Sequence, residues 1–213
     1  MKKLLTDTGE RIIPEKMKIT NELLIEHVAR YHFASHYVHG NVLDFACGSG
    51  YGTHIIAKNC KDKIEQIVGI DNDEDVIQYA KSTYYHPKSE FILGDVTEPS
   101  LPDKLDRTFD FILSFETIEH VAEEKQFLEN IYHLLNPGGT LILSTPFGKG
   151  RNIPSGSPFH VHQLTVDEFH HLFTEFDYAT VDYFFQKGAL IVPEDAKRDH
   201  YFPLGIAVCK KVK

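Results

Sequence analysis

The chain has 213 residues, a formal net charge of −9 and 42% apolar content, which fits one α/β domain with a sizeable core. The acidic balance argues against a broad basic face that binds a nucleic-acid duplex by displacing counterions, although a local basic groove stays open. No stretch approaches the ~18 continuous apolar residues of a membrane helix, Met1-Lys-Lys-Leu-Leu-Thr-Asp7 is too poor in apolar residues for a secretory leader, and three cysteines without a C-x-x-C point to reduced thiols in a cytoplasmic setting.

Residues 1–19 are polar, lack a clear period and read as an arm or lid. Thr20 or Asn21 can cap a helix that carries Leu23, Leu24, His27, Val28 and Tyr31 at helical spacing. Strands are expected at 41–45, 66–70, 90–93 and 109–114, with helices near 52–58 and 74–82 between the first three. A long helix near 123–135 stops at Asn136-Pro-Gly-Gly139, and a fifth strand takes 140–144. The Gly/Pro-rich loop 146–162 is long enough to be functional. Thr165-Val-Asp-Glu168 is a capping box opening a helix over 167–173, and 179–185 and 205–209 finish the chain as strands. Alternating strands and helices imply right-handed crossovers and a mostly parallel, seven-stranded sheet in a three-layer α/β sandwich. The last two strands lack an intervening helix and should pair antiparallel. With no linker or repeat, 1–213 reads as one domain, 1–38 being an N-terminal arm and helix and 39–213 the core.

The densest signal is Val42-Leu-Asp-Phe-Ala-Cys-Gly-Ser-Gly-Tyr-Gly52, followed by Asp71 at the end of the next apolar run. Glycine is needed where a backbone turns sharply or lies flat against a ligand. An acid at the tip of the next strand is placed to accept hydrogen bonds from a ribose diol. The pair reads as a site for an adenosine-containing ligand. The dinucleotide form G-x-G-x-x-G, whose helix meets a pyrophosphate, is not met, because the spacing here is G-x-G-x-G.

These residues resemble motif I of the class I S-adenosylmethionine-dependent methyltransferases, h-h-D-h-x-C/G-x-G-x-G, and the resemblance is strong over residues 40–145. It implies a Rossmann-like fold, S-adenosyl-L-methionine as cofactor, and cofactor contacts from Asp44, Ala46, Gly48, Gly50, Asp71 and Asn72. Asp95 in Leu93-Gly-Asp-Val96 resembles the acid that accepts the adenine amino hydrogen, with Val96 beside it; Tyr31 and Phe115 complete the set. Leu135-Asn-Pro-Gly-Gly-Thr140 matches a structural turn of the same family. Arg30 is a candidate partner for the cofactor carboxylate or a surface residue. Cys47 reads as a small structural residue rather than a reactive thiol.

After the fourth strand, Glu116, Glu119 and His120 stand at i, i+3 and i+4, which on a helical turn share a face. This E-x-x-E-H pattern resembles the ubiquinone-pathway O-methyltransferases and the enzymes that methylate the 2′-hydroxyl at small-RNA 3′ ends. The second resemblance implies a metal site of Glu116, Glu119, His120 and either His160 or His162, holding magnesium, manganese or zinc to acidify an acceptor hydroxyl. Without metal, His120 alone is the general base, and the plainest alternative is two acids complementing a helix N-terminus. Gly9-Glu-Arg11 with Glu26-His-x-x-Arg-Tyr-x-Phe33 is more loosely similar to bacterial methyltransferases grouped with glycan biosynthesis. The expected activity is methyl transfer to a hydroxyl of a small molecule or glycan, with no nucleic-acid partner and no membrane span expected. A small-RNA 2′-O-methyltransferase, an NAD-dependent oxidoreductase and a non-catalytic cofactor-binding protein are the alternatives.

Overall fold

The computed structural model describes Leu5 and residues 11–213; Gly9 and Glu10 of the N-terminal motif, and most of the arm before it, lie outside the described residues. Five strands, β1 (Gly40–Phe45), β2 (Ile64–Asp71), β3 (Ser89–Leu93), β4 (Phe109–Phe115) and β5 (Leu135–Pro146), pair parallel. Three more, β6 (Tyr178–Lys187), β7 (Leu190–Pro193) and β8 (Leu204–Lys211), extend the sheet antiparallel. The order is β3-β2-β1-β4-β5-β8-β6-β7.

Successive strand residues face opposite sides, so Val42 and Leu113 enter one core while Leu43 and Ile112 enter the other. The first core is closed by α1 (Glu22–Ala34), α2 (Tyr51–Asn59) and α3 (Glu74–Thr83) through Tyr31, Ile56 and Ala80. The second is closed by α4 (Leu101–Leu105), α5 (Glu124–Leu134) and α6 (Val166–His171) through Leu101, Phe127, Ile131 and Phe169. Burial on both faces is why the central strands read as unbroken apolar runs rather than alternating ones. Asn21 is the cap of α1, its side chain accepting from Leu24 N at 3.0 Å. The Thr165–Glu168 capping box is formed at α6.

The sheet has eight strands rather than seven. β7 is four residues folded back on β6, too short to carry a period of its own. Helix α4, five residues with a proline in its first turn, left no periodic signal either. β5 begins at Leu135 rather than Thr140, because Leu135 pairs with Phe109 before the register shifts to place Thr140 opposite Phe111. All three cysteines are buried and unpaired, and among the described residues no helix is long and apolar enough to cross a membrane.

Candidate functional site

Strands β1 and β4 are neighbours whose chain continues toward opposite edges of the sheet, the switch point where α/β sheets open a crevice. A cleft of about 410 Å³ lies there. The first residues beyond these strands, Ala46 and Glu116, both have left-handed backbone, with φ 71° and 53°. Non-glycine residues rarely adopt it, and such strain gathers where a site must be held in shape.

On one side the cleft is lined by Ala46, Gly48, Asp71, Asn72 and Val96. Gly48 has φ +54° and open space where a side chain would project, so it is the backbone angle that calls for glycine. At Gly52 the reason is room: a Cβ would fall 1.9 Å from Tyr31 Cζ, and its absence lets the Tyr31 ring lie against α2. Gly48 N donates to Asp71 Oδ2 at 2.9 Å and Asp73 N to Oδ1 at 3.1 Å, which fixes the carboxylate at the cleft edge. Burial pushes the Asp71 carboxyl above its ordinary value, opposed by those two bonds. Arg11 and Ile12 also line the cleft. Arg11 Nη2 bonds Asp73 Oδ2 at 2.8 Å, and Ser49 Oγ donates to Ile12 O at 2.7 Å, so this part of the arm is docked on the glycine turn.

Asp44 does not line the cleft. It is buried below the turn, accepting from Tyr31 Oη at 3.1 Å and Thr53 Oγ1 at 2.6 Å, and burial raises its pKa to about 6. Gly50 lies outside the lining as well. So does Asp95, an exposed residue whose Oδ1 takes both the N–H and the hydroxyl of Thr97 at 2.8 Å; Val96 is the residue that faces inward. Arg30 is neither a lining residue nor a surface one. It is 1% exposed, and its Nη1 donates to Gln186 Oε1 at 2.9 Å, tying α1 to β6.

The other side is lined by Tyr31, Tyr51, Phe115, Glu116, His120 and Phe159. The left-handed turn at Glu116 precedes a 3-10 turn over Ile118–His120 and separates the two acids, so they do not share a face. Glu116 lines the cleft and accepts from Ser144 Oγ at 3.0 Å. Glu119 is 1% exposed and turned inward, accepting from Thr145 Oγ1 at 3.2 Å. Burial first, and then the like charge of Glu116, push its carboxyl well above the usual range. His120 Nδ1 is 3.0 Å from the Phe159 carbonyl oxygen. A carbonyl only accepts, so Nδ1 carries the proton and the neutral ring offers its lone pair at Nε2. That nitrogen lies 3.9 Å from Glu119 Oε1.

The metal set expected from sequence is rearranged. Glu119, His120 and His160 bring one donor atom each within 4.8 Å of one another. Glu116 and His162 stand outside this group: Glu116 is engaged by Ser144, and His162 Nε2 lies 3.1 Å from Glu124 Oε2. Sequence reasoning also passed over Arg11, Ile12, Tyr51 and Phe159. It placed His27 on a helix face and in the looser Glu26–Phe33 likeness without a site role, yet His27 lines the cleft one turn before Tyr31 and meets Tyr51 Oη at 3.1 Å through Nδ1. Burial, and then Arg30, hold its pKa well below the usual histidine value, which favours the neutral ring.

A family profile described as a methyltransferase domain matches residues 37–188. A protein of Mycolicibacterium smegmatis named as a probable S-adenosylmethionine-dependent methyltransferase is 33% identical over 166 residues, 76% of this chain and 60% of its own length. A Mycobacterium tuberculosis protein with the same description is 34% identical over 170 residues, 78% of this chain and 58% of its own length. The chain thus spans about 60% of the length of these curated relatives. Among solved structures, the N-methyltransferase NodS from Bradyrhizobium japonicum, in complex with S-adenosyl-L-homocysteine, matches with a TM-score of 0.60 at 15% identity, covering 88% of this chain and 86% of that one. A chain from the complex between the Haloferax volcanii Trm112 methyltransferase activator and a methyltransferase gives 0.65 at 19%, covering 88% and 90%. At these identities the structural likeness is one of fold.

Proposed function

The chain belongs to the class I S-adenosylmethionine-dependent methyltransferases, and from that premise we propose that it methylates a hydroxyl of a small molecule or glycan, with His120 as general base. Membership favours S-adenosylmethionine over a nicotinamide dinucleotide, in keeping with a third glycine, Gly52, that falls one residue short of the dinucleotide spacing. The residues suit that cofactor: Gly48 faces open space, and the Asp71 carboxylate is fixed beside it. Asp71 and Asn72 would hold the ribose, Ala46 and Gly48 the methionine part, and Tyr31 and Phe115 the region between cofactor and acceptor.

When bound, S-adenosylmethionine supplies an electrophilic methyl group on a sulfonium. His120 then takes the proton of the attacking hydroxyl at Nε2, worth roughly 10²–10⁴ in rate for a positioned base. The Phe159 carbonyl keeps the ring in the required tautomer. Holding both reactants in one cleft supplies much of the remaining barrier reduction.

The observation that carries this reading is the union of Gly48, Asp71, Glu116 and His120 around a single cleft. Calorimetric titration with S-adenosylmethionine and S-adenosylhomocysteine, followed by turnover on phenols, sugars and lipid precursors, tests it. No binding of either at millimolar concentration sinks the proposal, and binding without turnover favours a non-catalytic cofactor-binding protein.

A second reading is favoured by one observation, the approach of Glu119, His120 and His160 within 4.8 Å. These three would hold a divalent ion and lower the pKa of a bound hydroxyl. Activity lost in EDTA and restored by manganese in the wild type, but not in His160→Ala, supports it; full activity in EDTA removes it.

A further inference from the structure

Resting on the methyl-transfer reading, we propose that the acceptor is an amphiphile whose hydroxyl meets His120 while a hydrocarbon chain lies along the 150–161 loop over Phe159, Val161 and Ile153. Both ends of this loop are pinned. Arg151 bonds Glu124 of α5 through Nε at 3.1 Å and Nη2 at 2.8 Å, and His162 Nε2 lies 3.1 Å from the same carboxylate. Val161 N donates to Glu119 O at 2.8 Å, and His120 holds the Phe159 carbonyl.

Within that frame Ile153, Phe159 and Val161 are 46%, 47% and 59% exposed. A single exposed apolar side chain needs no explanation, but three on one pinned rim keep apolar surface in water with no compensating burial. Phe159 lines the cleft, while Ile153 and Val161 line an adjoining hollow of about 560 Å³ with Pro154 and Pro158 on its apolar side and Asn152, Ser155 and Ser157 on its polar side. His120 of the cleft and His160 of the hollow meet as a ring pair, 4.9 Å between centroids, so the two spaces share a border. A molecule whose hydroxyl reaches His120 therefore passes directly onto the apolar rim. This continuity with the reacting end points to part of the acceptor rather than a protein partner, and it narrows the acceptor from glycans to lipid-like molecules.

The test uses 4-alkylphenols from ethyl to octyl, titrated into the chain saturated with S-adenosylhomocysteine. Affinity should climb by up to about fourfold for each methylene, the limit set by ~0.8 kcal/mol per buried CH₂. In the Ile153→Asn/Val161→Asn double variant that dependence should flatten while the affinity for S-adenosylhomocysteine stays at the wild-type value. Binding indifferent to chain length, an unchanged slope in the variant, or a wild type that binds S-adenosylhomocysteine and no alkylphenol would each overturn the amphiphile proposal. A wild type that fails to bind S-adenosylhomocysteine overturns instead the methyl-transfer reading beneath it.

Discussion

The two sides of the cleft are built in different ways. The side proposed for the cofactor comes largely from one run of chain, the ends of β1 and β2 with the glycine turn, and its key carboxylate is answered by backbone within that run, Asp71 by Gly48 N and Asp73 N, with Arg11 and Ile12 docked on it from the arm. The side proposed for the acceptor joins a short turn at Glu116–His120 to a loop some forty residues later, through bonds such as His120 to the Phe159 carbonyl and Val161 N to Glu119 O. Each side also keeps one buried carboxylate, and the two are treated differently. Asp44 receives two hydroxyl donors and stands at about 6, whereas Glu119 receives one and faces Glu116, whose like charge adds to burial in pushing it toward its neutral form. A locally answered site is rigid before any ligand arrives; one assembled across the chain can be tuned by distant changes.

If the sides are separable, His120→Gln should lower kcat by roughly 10²–10⁴. The calorimetric affinity for S-adenosylhomocysteine should be unchanged. A matching loss of that affinity would show that the two sides act as one unit.

Asp44→Asn probes what the buried carboxylate beneath the glycine turn costs. Its folded pKa, about 6, is raised from 3.8, so the folded state binds more protons than the unfolded state between these values. The contribution is present in full below about pH 3.8 and is lost as pH rises through about 6. Chemical denaturation at pH 4 and pH 7.5 should therefore show the variant gaining on the wild type by up to about 3 kcal/mol, from ~1.4 kcal/mol per pKa unit. No change in their difference across that interval would mean that Thr53 and Tyr31 fully offset the burial.

The same contrast decided what could be read in advance. The glycine turn, Asp71 and the strand–helix alternation were legible because each is a local pattern with a local physical cause. Asp44 was assigned to the cofactor from its place in the motif, yet motif spacing does not reveal that Tyr31, thirteen residues earlier, reaches back to it. Reading Glu116, Glu119 and His120 as one helical face assumed right-handed backbone, and φ 53° at Glu116 breaks that assumption. Phe159 carried no periodic or motif signal, and Arg11 appeared only in the looser Gly9-Glu-Arg11 likeness with no site role, since only the folded chain brings them to the cleft.

For Asp71→Ala the expected loss is about 1.5–3 kcal/mol of cofactor affinity, the range for hydrogen bonds to a charged group. That is roughly tenfold to a hundredfold in Kd by titration with S-adenosylhomocysteine. Asp95→Ala is the useful control, because Asp95 lies outside the lining with one oxygen already committed to Thr97. An equal loss there would extend the cofactor side beyond the cleft described.

The smallest expected effect lies on the acceptor side, at Arg151. Although burial pushes Glu124 upward, His162 and Arg151 hold its carboxyl below the usual range, so this contribution is present above the unfolded pKa and fades as pH falls through the depressed one. Arg151 is about one-third exposed, and screening limits what the pair is worth to ~1 kcal/mol or less. Arg151→Gln should therefore leave the fold and the affinity for S-adenosylhomocysteine intact and weaken octylphenol binding only a few-fold, because the rim loses one anchor while those at His162, Val161 N and the Phe159 carbonyl remain. Lowering the pH until Glu124 protonates should weaken octylphenol binding to the wild type and narrow its gap from the variant. If the variant instead lost cofactor affinity, the loop would be shaping the whole cleft, and the division into a locally built side and an assembled one would not hold.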